Sequence, residues 1–344
     1  MKNAFRQMCA TICGIFDQNE GGVAGYADRK RGKYTTKWGV QMVGMIFQTR
    51  PRQTENILEF QENHMNILTE IAEKTKQRIQ EEKQQLPMEE LRASAEQMQK
   101  SETHRADGFG LAAKPPEARR RTFLEALKKP GMSYICEVKK ASPSKGLIAP
   151  YFPYLEIARE YEAAGASAIS CLTEPFYFQG RDQYLEEITS QVKIPVLRKD
   201  FTVDEYMIYQ AKVLGASAIL LICAILDDGQ LKAYRQLAGE LSLDVLTEAH
   251  DEREVERALD CGAKIIGVNN RDLRTFQVDT GNSIRLRGMA PPETVFVSES
   301  GIRTPEDIRN LYENRVDAVL IGETLMRSPD KKAELEKLNG GPLV

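Results

Sequence analysis

Apolar residues between positions 134 and 321 fall into eight short runs, and each run precedes an amphipathic stretch of helical period. The runs cover 134–138, 168–172, 195–198, 218–222, 243–247, 265–268, 294–297 and 317–321. Short β-branched runs that alternate with helices predict buried strands in parallel pairing. Eight such units are the number found in a (β/α)8 TIM barrel. An open doubly wound sheet is the alternative, but it usually has fewer strands and a glycine-rich turn after the first one.

An internal repeat also supports a barrel. The pentapeptide 165–169 returns unchanged at 215–219, and a related sequence begins at Gly262. Each copy lies between a predicted helix and a predicted strand, where glycine ends the helix and small residues let helix and strand approach. The spacing of roughly 50 residues covers two βα units, as expected of a fold built from repeats.

The chain before the barrel has two parts. Residues 1–64 are polar, lack sustained periodicity and contain the single Trp38, so we expect a disordered or non-native extension. After Met65 apolar positions recur at helical spacing, at Ile67, Ile71, Thr75 and Ile79. Further helices are predicted near 88–100 and over 118–129. We therefore expect three regions: the extension 1–64, N-terminal helices within 65–133, and a catalytic barrel over 134–344.

Composition restricts the possible partners. The formal net charge of -3 gives no basic excess for general nucleic-acid binding. The sequence contains no apolar run long enough to span a membrane. Its three histidines lack ligand spacing, so we expect no metal site. Cys9 and Cys13 are close together, whereas the other four cysteines are scattered along apolar segments, and all six are interpreted as free thiols of a reducing, cytoplasmic environment.

Polar residues are concentrated where the predicted strands end. In chain order they are Glu137 and Lys139, Thr173 and Glu174, 198–200, Glu248, 269–272, 298–301, and Gly322 and Glu323. In a TIM barrel the carboxyl ends of the strands form one rim that carries the chemistry. Because burying charge is costly unless the charge is paired or used, we predict the functional site at this rim. A structural network of salt bridges is the alternative for Lys139, Lys199 and Glu248.

Other rim residues allow two interpretations each. Ser300, Gly301 and Gly322 lie where this fold commonly binds phosphate, although ordinary turns would also use them. Phe178 and Phe201 either pack in the core or form a wall for a flat apolar ligand. For Asp200 and Asp272 we favour helix caps or loop ion pairs, and for Glu174 neither interpretation is preferred.

Six segments of the rim resemble one known family. They are EVKKASPSKG at 137–146, ISCLTE at 169–174, PVLRKDF at 195–201, IGVNNRDL at 266–273, VSESGI at 297–302 and LIGETLM at 320–326. Their order and spacing, from about Met65 to about Pro329, are similar to those of indole-3-glycerol-phosphate synthases of tryptophan biosynthesis. The resemblance implies decarboxylation, ring closure and dehydration of 1-(2-carboxyphenylamino)-1-deoxyribulose 5-phosphate, a small phosphorylated substrate.

The same resemblance implies catalytic roles. Lys199 would be the general acid at the substrate carbonyl, and Glu248 would orient or deprotonate in the later steps. Lys139 would hold the substrate carboxylate and donate a proton in dehydration. Glu137 would assist as a base, and Asn269 would orient these groups. How acid and base tasks divide among these side chains is left open by the match.

Binding roles follow in the same way. Ser142, Ser300, Gly301 and Gly322 would hold the phosphate, and Phe178 and Phe201 would flank the ring. Arg271 and Glu299 match functional positions of less defined role. Glu323 stands where some relatives have Ser, so that a side-chain contact to phosphate is in doubt there.

No metal or organic cofactor is implied by the resemblance, because acids, bases and electrostatic stabilisation suffice for this reaction. Association with other enzymes of the tryptophan pathway is expected. The rival enzyme is another phosphate-binding barrel, such as phosphoribosylanthranilate isomerase, and the rival from another class is a scaffold barrel that no longer catalyses.

Overall fold

A computed structural model describes residues 67–106, 122–272 and 275–343 of the chain. Eight parallel strands form a closed barrel in chain order, in which the last strand pairs with the first. They are β1 (Ser133–Val138), β2 (Ala168–Leu172), β3 (Val196–Lys199), β4 (Ala218–Ile222), β5 (Asp244–Ala249), β6 (Ile265–Asn269), β7 (Val295–Glu299) and β8 (Ala318–Ile321). The predicted TIM barrel is confirmed.

Helices precede, separate and follow the strands. Three come before the barrel: α1 (Ile67–Gln85), α2 (Met88–Ala106) and α3 (Phe123–Leu127). The others are α4 (Tyr154–Ala163), α5 (Asp182–Gln191), α6 (Glu205–Val213), α7 (Asp228–Glu240), α8 (Glu252–Asp260), α9 (Gly281–Arg287), α10 (Pro305–Glu313), α11 (Glu323–Arg327) and α12 (Lys331–Asn339). The predicted extension 1–64 and the start of the predicted helix 118–129 lie outside the described residues. Within the described ranges, no helix is both long and apolar enough for a membrane span.

Several polar residues that we placed after strands, Asn269 and Ser298 among them, belong to the strands themselves. Lys199 ends β3 and pairs in register with Leu172, while Glu299 ends β7 and pairs with Leu320. Glu248 lies within β5. The predicted strands end too early because a charged residue is a usual sign that a buried strand has ended. The ladder continues through these residues, which gives their side chains fixed positions.

The barrel has an inner and an outer hydrophobic layer. The inner cluster fills the lumen with small and branched side chains, including Ile135, Leu197, Leu246 and Val297. The outer cluster packs the strands against the surrounding helices. The glycines of the repeat end helices in the left-handed region, with φ of +91° at Gly165 and +78° at Gly215.

The N-terminal helices close both ends of the lumen. Leu68 and Ile71 of α1 and Phe123 and Leu127 of α3 belong to the inner cluster. Leu68 and Ile71 lie at the carboxyl-end rim, because they line the same pocket as the residues that end the strands. Helix α1 therefore forms part of the pocket wall.

A buried ion pair fixes α1 to the strand end beside Lys199. Arg78 Nη2 lies 2.9 Å from Asp200 Oδ2, and the Thr173 hydroxyl donates to the same oxygen at 2.6 Å. Asp200 is 2% exposed. Although burial raises the pKa of Asp200, the charges of Arg78 and Arg198 outweigh it and hold the pKa below its ordinary value. The expected loop ion pair is thus present.

Asp200→Asn should lower the free energy of unfolding by about 3 kcal/mol, because the buried Arg78 and Arg198 would lose the carboxylate that they share and keep only Glu82 and Asp182 as partners. Urea unfolding measures the change. Asp204→Asn is the matched control, since Asp204 also pairs with α1, through Lys83 at 2.7 Å, but is more exposed. An Asp200→Asn cost no larger than the control would show that the buried pair does not hold α1.

Candidate active site

One pocket at the carboxyl-end rim contains every residue that the sequence assigned to the site. Its lining includes Glu137, Lys139, Ser142, Phe178, Lys199, Phe201, Glu248, Asn269, Arg271, Glu299, Ser300, Gly301, Gly322 and Glu323. These residues come from seven of the eight strand ends, β4 being the exception. Residues that are distant in the sequence are close in space because the parallel strands all end at the same rim.

Lys199 lies between two carboxylates in the pocket. Its Nζ is 2.8 Å from Glu248 Oε2 and 3.0 Å from Glu299 Oε2. The Lys199 side chain is 12% exposed, whereas those of Glu248 and Glu299 are 4% and 3% exposed. Asn269 Nδ2 donates to the other oxygen of Glu248 at 3.3 Å. Four side chains from β3, β5, β6 and β7 thus form one polar cluster.

The electrostatics of this cluster are uneven. Burial alone would lower the pKa of Lys199, but the charges of Glu248 and Glu299 outweigh it and hold the pKa above its ordinary value. Burial would raise the pKa of Glu248, and the charge of Lys199 reverses this and holds it below its ordinary value. Burial, together with the charge of Glu248, raises the pKa of Glu299 to about 7. One ammonium therefore does not fully compensate the carboxylates around it.

The raised pKa of Glu299 predicts a pH-dependent stability. Between the ordinary pKa of 4.5 and about 7 the folded chain keeps a proton that the unfolded chain has lost, so stability falls as pH rises through this window. Glu299→Gln cannot titrate and should be more stable than the parent at pH 8, by on the order of 1–3 kcal/mol. Urea unfolding at several pH values checks this. The difference should vanish near pH 4.5, and a difference independent of pH would contradict the assignment.

A second ion pair lies beside the first. Glu137 of β1 accepts a hydrogen bond from Lys139, the residue that follows the strand end. Gly322, after β8, faces this pair: a Cβ there would lie 2.7 Å from Lys139 Nζ and closer still to Glu137 Oε2. The absence of a side chain at Gly322 therefore leaves room for the pair, a role that the sequence did not indicate.

Gly322→Ala should lower kcat about a hundredfold, because the new methyl group displaces Lys139 and Glu137, and displacements near 1 Å cost that much in a preorganised site. Gly239→Ala is the control, since a Cβ there meets no atom within 4 Å. Steady-state kinetics of both variants make the comparison. Equal kcat values for Gly322→Ala and the parent would show that the pair tolerates displacement.

Positive charge is concentrated at one end of the pocket. Lys145, Arg271 and Arg303 line this end together with Ser142, Ser300, Gly301 and Gly322. Lys145 and Arg303 were not among the predicted site residues, although Lys145 lies within the segment 137–146 and Arg303 directly follows the segment 297–302. Glu323 contributes a carboxylate that lies 3.6 Å from Lys145 Nζ and 3.1 Å from Arg327 Nε.

A buried hydrogen-bond network shapes the turn after β7. Ser300 has a φ of +70°, which is uncommon for a residue other than glycine. Asn270 Nδ2 donates to the Ser300 carbonyl at 3.0 Å and to Ser298 Oγ at 2.9 Å. Asn270 is thus a structural residue that holds the turn of Ser300 and Gly301 towards the pocket.

Another part of the pocket lining is apolar. The rings of Phe178 and Phe201 have centroids 6.4 Å apart, and Leu68 and Ile71 of α1 line the same pocket. Glu174 holds the Phe178 loop, because its carboxylate accepts from the backbone N–H groups of residues 176, 177 and 178 at 2.7–2.9 Å. This places Glu174 in a structural role.

Comparisons with known proteins identify the family of this chain. Residues 68–338 match the family model described as indole-3-glycerol phosphate synthase. The chain belongs to the indole-3-glycerol phosphate synthase family. It is an enzyme of tryptophan biosynthesis, a carboxy-lyase, and the resemblance of its rim segments is confirmed.

Curated relatives of the same name are similar over most of their length. One from Ruminiclostridium cellulolyticum is 52% identical over 274 residues, which cover 80% of this chain and 99% of the relative. One from Endomicrobium trichonymphae is 57% identical over 217 residues, covering 63% and 84%. One from Lacticaseibacillus paracasei is 56% identical over 227 residues, covering 66% and 87%.

Residues 1–59 match a different model, described as a family of unknown function (DUF6783). The match of the synthase family begins only after it, at residue 68. Within the described ranges, no group of three or more His, Cys, Asp or Glu residues is arranged to hold a metal ion.

Proposed function

We propose that the polar cluster of this pocket carries out the decarboxylating ring closure with Lys199 as the general acid. The observation that supports this role is the position of the Lys199 ammonium between Glu248 and Glu299, in a pocket that is also lined by an aromatic wall and by a cationic end. A flat benzoate ring fits the first and a phosphate fits the second. The substrate carbonyl would then lie between them, beside Lys199.

The state of Lys199 favours an acid over a nucleophile. Two carboxylates hold the pKa of Lys199 above its ordinary value after burial is taken into account, so its nitrogen is protonated at neutral pH. A protonated amine cannot attack a carbonyl to form a Schiff base, but it can donate to a carbonyl oxygen. As the ring carbon that bears the carboxylate bonds to the carbonyl carbon, the oxygen takes the proton from Lys199.

The later steps need a carboxylate holder, an acid and a base. Cleavage of the bond to the carboxylate releases CO2 and returns the electron pair to the aromatic ring. The new hydroxyl then leaves as water after protonation, and loss of a proton from the adjacent methylene carbon completes the indole. Lys139 would bind the substrate carboxylate and protonate the departing hydroxyl. Glu248 would accept the proton from the methylene carbon. Glu137 would orient Lys139, and Asn269 would orient Glu248, through the hydrogen bonds that they form.

Two observations favour a functional cluster over a purely structural salt-bridge network. Burial and the charge of Glu248 raise the pKa of Glu299 to about 7, so the charges of the cluster are not balanced. The cluster also lines an open pocket and is not sealed in the core. A strongly shifted pKa in a pocket is typical of a functional site.

The test is turnover of the anilino-deoxyribulose phosphate, followed by CO2 release and by indole fluorescence. We expect CO2 and indole-3-glycerol phosphate in equal amounts. An isomerase of the same fold would release no CO2, and a scaffold barrel would consume no substrate. The single Trp38 adds little to the indole signal.

The cellular location of the enzyme is inferred from its cysteines, and its association with other enzymes from its family. Cys136, Cys171, Cys223 and Cys261 are free and buried, which fits a reducing cytoplasm. We infer that the enzyme acts there and associates with other enzymes of the tryptophan pathway. Co-purification with those enzymes from cytoplasmic extract would support the association, and its absence at native concentration would contradict it.

A further inference from the structure

His250 lies behind Glu248 and outside the pocket lining. It is the first residue after β5, and its Nε2 is 3.4 Å from Glu248 Oε1. Its side chain is 18% exposed, and within the described part of the structure the buried Nε2 has no hydrogen-bond partner. Nε2 thus faces the carboxylate of Glu248, which lines the pocket, while His250 itself does not line it.

Glu254 fixes the orientation of the imidazole. One oxygen of Glu254, on α8, accepts from the His250 backbone N–H at 2.8 Å and meets Nδ1 of the ring at 2.9 Å. Because the carboxylate accepts, Nδ1 carries a proton. Asn282 Nδ2 donates to the His250 carbonyl at 3.0 Å and holds the backbone from the side of α9. The ring therefore has little freedom to turn away from Glu248.

This orientation determines what Nε2 presents to Glu248. In a neutral ring with its proton on Nδ1, the Nε2 lone pair would face the lone pairs of Glu248 Oε1 at 3.4 Å, which is repulsive. A proton on Nε2 turns the contact into an attraction between an imidazolium and a carboxylate. The arrangement is thus suited to the doubly protonated ring.

We propose that His250 is a positioning residue for Glu248: as an imidazolium held by Glu254, it binds Oε1 and leaves Oε2 to Lys199 and the reaction. The inference rests on the proposed role of Glu248. The two oxygens of Glu248 have separate partners, Asn269 and His250 on Oε1 and Lys199 on Oε2. Loss of the Nε2 proton would reorient the carboxylate and slow the steps in which it takes a proton.

The surrounding charges agree with this state. Burial alone lowers the pKa of His250, but the hydrogen bond with Glu254 and the charges of Glu248, Glu254 and Glu299 outweigh it and raise the pKa above its ordinary value of 6.5. These carboxylates come from α8, β5 and β7, and the α9 partner Asn282 is uncharged. His250 in turn helps to lower the pKa of Glu248.

The first test measures the His250 pKa by NMR of the imidazole protons in the full chain, which has three histidines. Comparison with His250→Gln assigns the signal. Glu248→Gln and Glu254→Gln should each lower this pKa by about one. Glu252→Gln is the matched control, since it removes the same charge from the same helix turn but its side chain is 55% exposed and pairs with Arg285. An unchanged His250 pKa in Glu248→Gln would overturn the inference.

The second test is the pH profile of kcat. The parent should lose activity as pH rises through the His250 pKa. His250→Ala should lower kcat at least tenfold at neutral pH with KM within about twofold, and that alkaline loss should disappear. His250→Gln, whose amide can donate without titrating, should recover part of kcat and stay independent of pH over the same range. A parental pH profile in His250→Ala would overturn the inference.

Failure of the two proposals can be separated. Parental turnover in Glu248→Gln would refute the proposed catalytic role of Glu248, whatever the NMR titration shows. Inactive Glu248→Gln beside fully active His250→Ala would refute the positioning role alone. Urea unfolding of each variant shows whether a loss of kcat comes from unfolded protein.

Discussion

Lys199→Ala is expected to fold and to lose roughly two to four powers of ten in kcat, the usual contribution of a general acid. The substitution removes the ammonium at the centre of the pocket and leaves Glu248 and Glu299 facing each other without a cation. Part of that repulsion is relieved because the pKa of Glu299 is already raised to about 7 by burial and by Glu248. Steady-state kinetics at pH 7 measure the loss.

Lys212→Ala controls for the loss of a buried lysine that forms an ion pair. Lys212 is 4% exposed on α6, pairs with Glu102 at 2.6 Å and does not line the pocket. It should lower stability without lowering kcat by more than about twofold. If Lys199→Ala keeps more than a tenth of parental kcat, or if both lysine variants lose kcat equally, Lys199 is not the acid.

Glu248→Gln is expected to lower indole formation about a hundredfold or more, since the amide cannot accept the methylene proton. Because decarboxylation precedes dehydration in the proposed order of steps, the variant should block only the last step. In a single turnover, CO2 should be released before the block, so that the decarboxylated hydroxyl intermediate accumulates. Rapid-quench detection of CO2 beside indole absorbance separates the two events.

Glu82→Gln is the control for this exchange. Glu82 of α1 is also a partly buried carboxylate, bonded to Gln210 at 3.0 Å, but it lies outside the pocket lining. It should leave both signals unchanged. If Glu248→Gln loses CO2 release and indole formation together, Glu248 acts in the ring-closing step. If the variant keeps both, Glu248 has no role in the mechanism.

The sequence predicted the barrel because the signal for it is local. Each strand is a short apolar run, and the strands Ala168–Leu172 and Ala218–Ile222 have the predicted bounds. Polar residues at strand ends predicted the pocket, since parallel strands bring all their carboxyl ends to one rim. The boundaries failed where function places charge inside a ladder, as at Lys199 and Glu299.

Other features depend on tertiary contacts and have no local signal. Leu68 and Ile71 have ordinary helical spacing, and only packing decides that they cover the pocket and not the outer layer. Glu174 was ambiguous because the loop geometry that gives it three backbone N–H donors is not visible in the sequence. His250 reads as a lone histidine until the turn after β5 brings it to Glu248.

The most direct test of the central assignment is a crystal structure of this enzyme with a substrate analogue whose carbonyl is reduced to an alcohol. The account predicts the alcohol oxygen within about 3.2 Å of Lys199 Nζ, in hydrogen-bond reach. It also predicts the benzoate ring between Phe178 and Phe201, and the phosphate at Ser300, Gly301 and Gly322. An alcohol oxygen bound by another cation, with Lys199 still held only by Glu248 and Glu299, would contradict it.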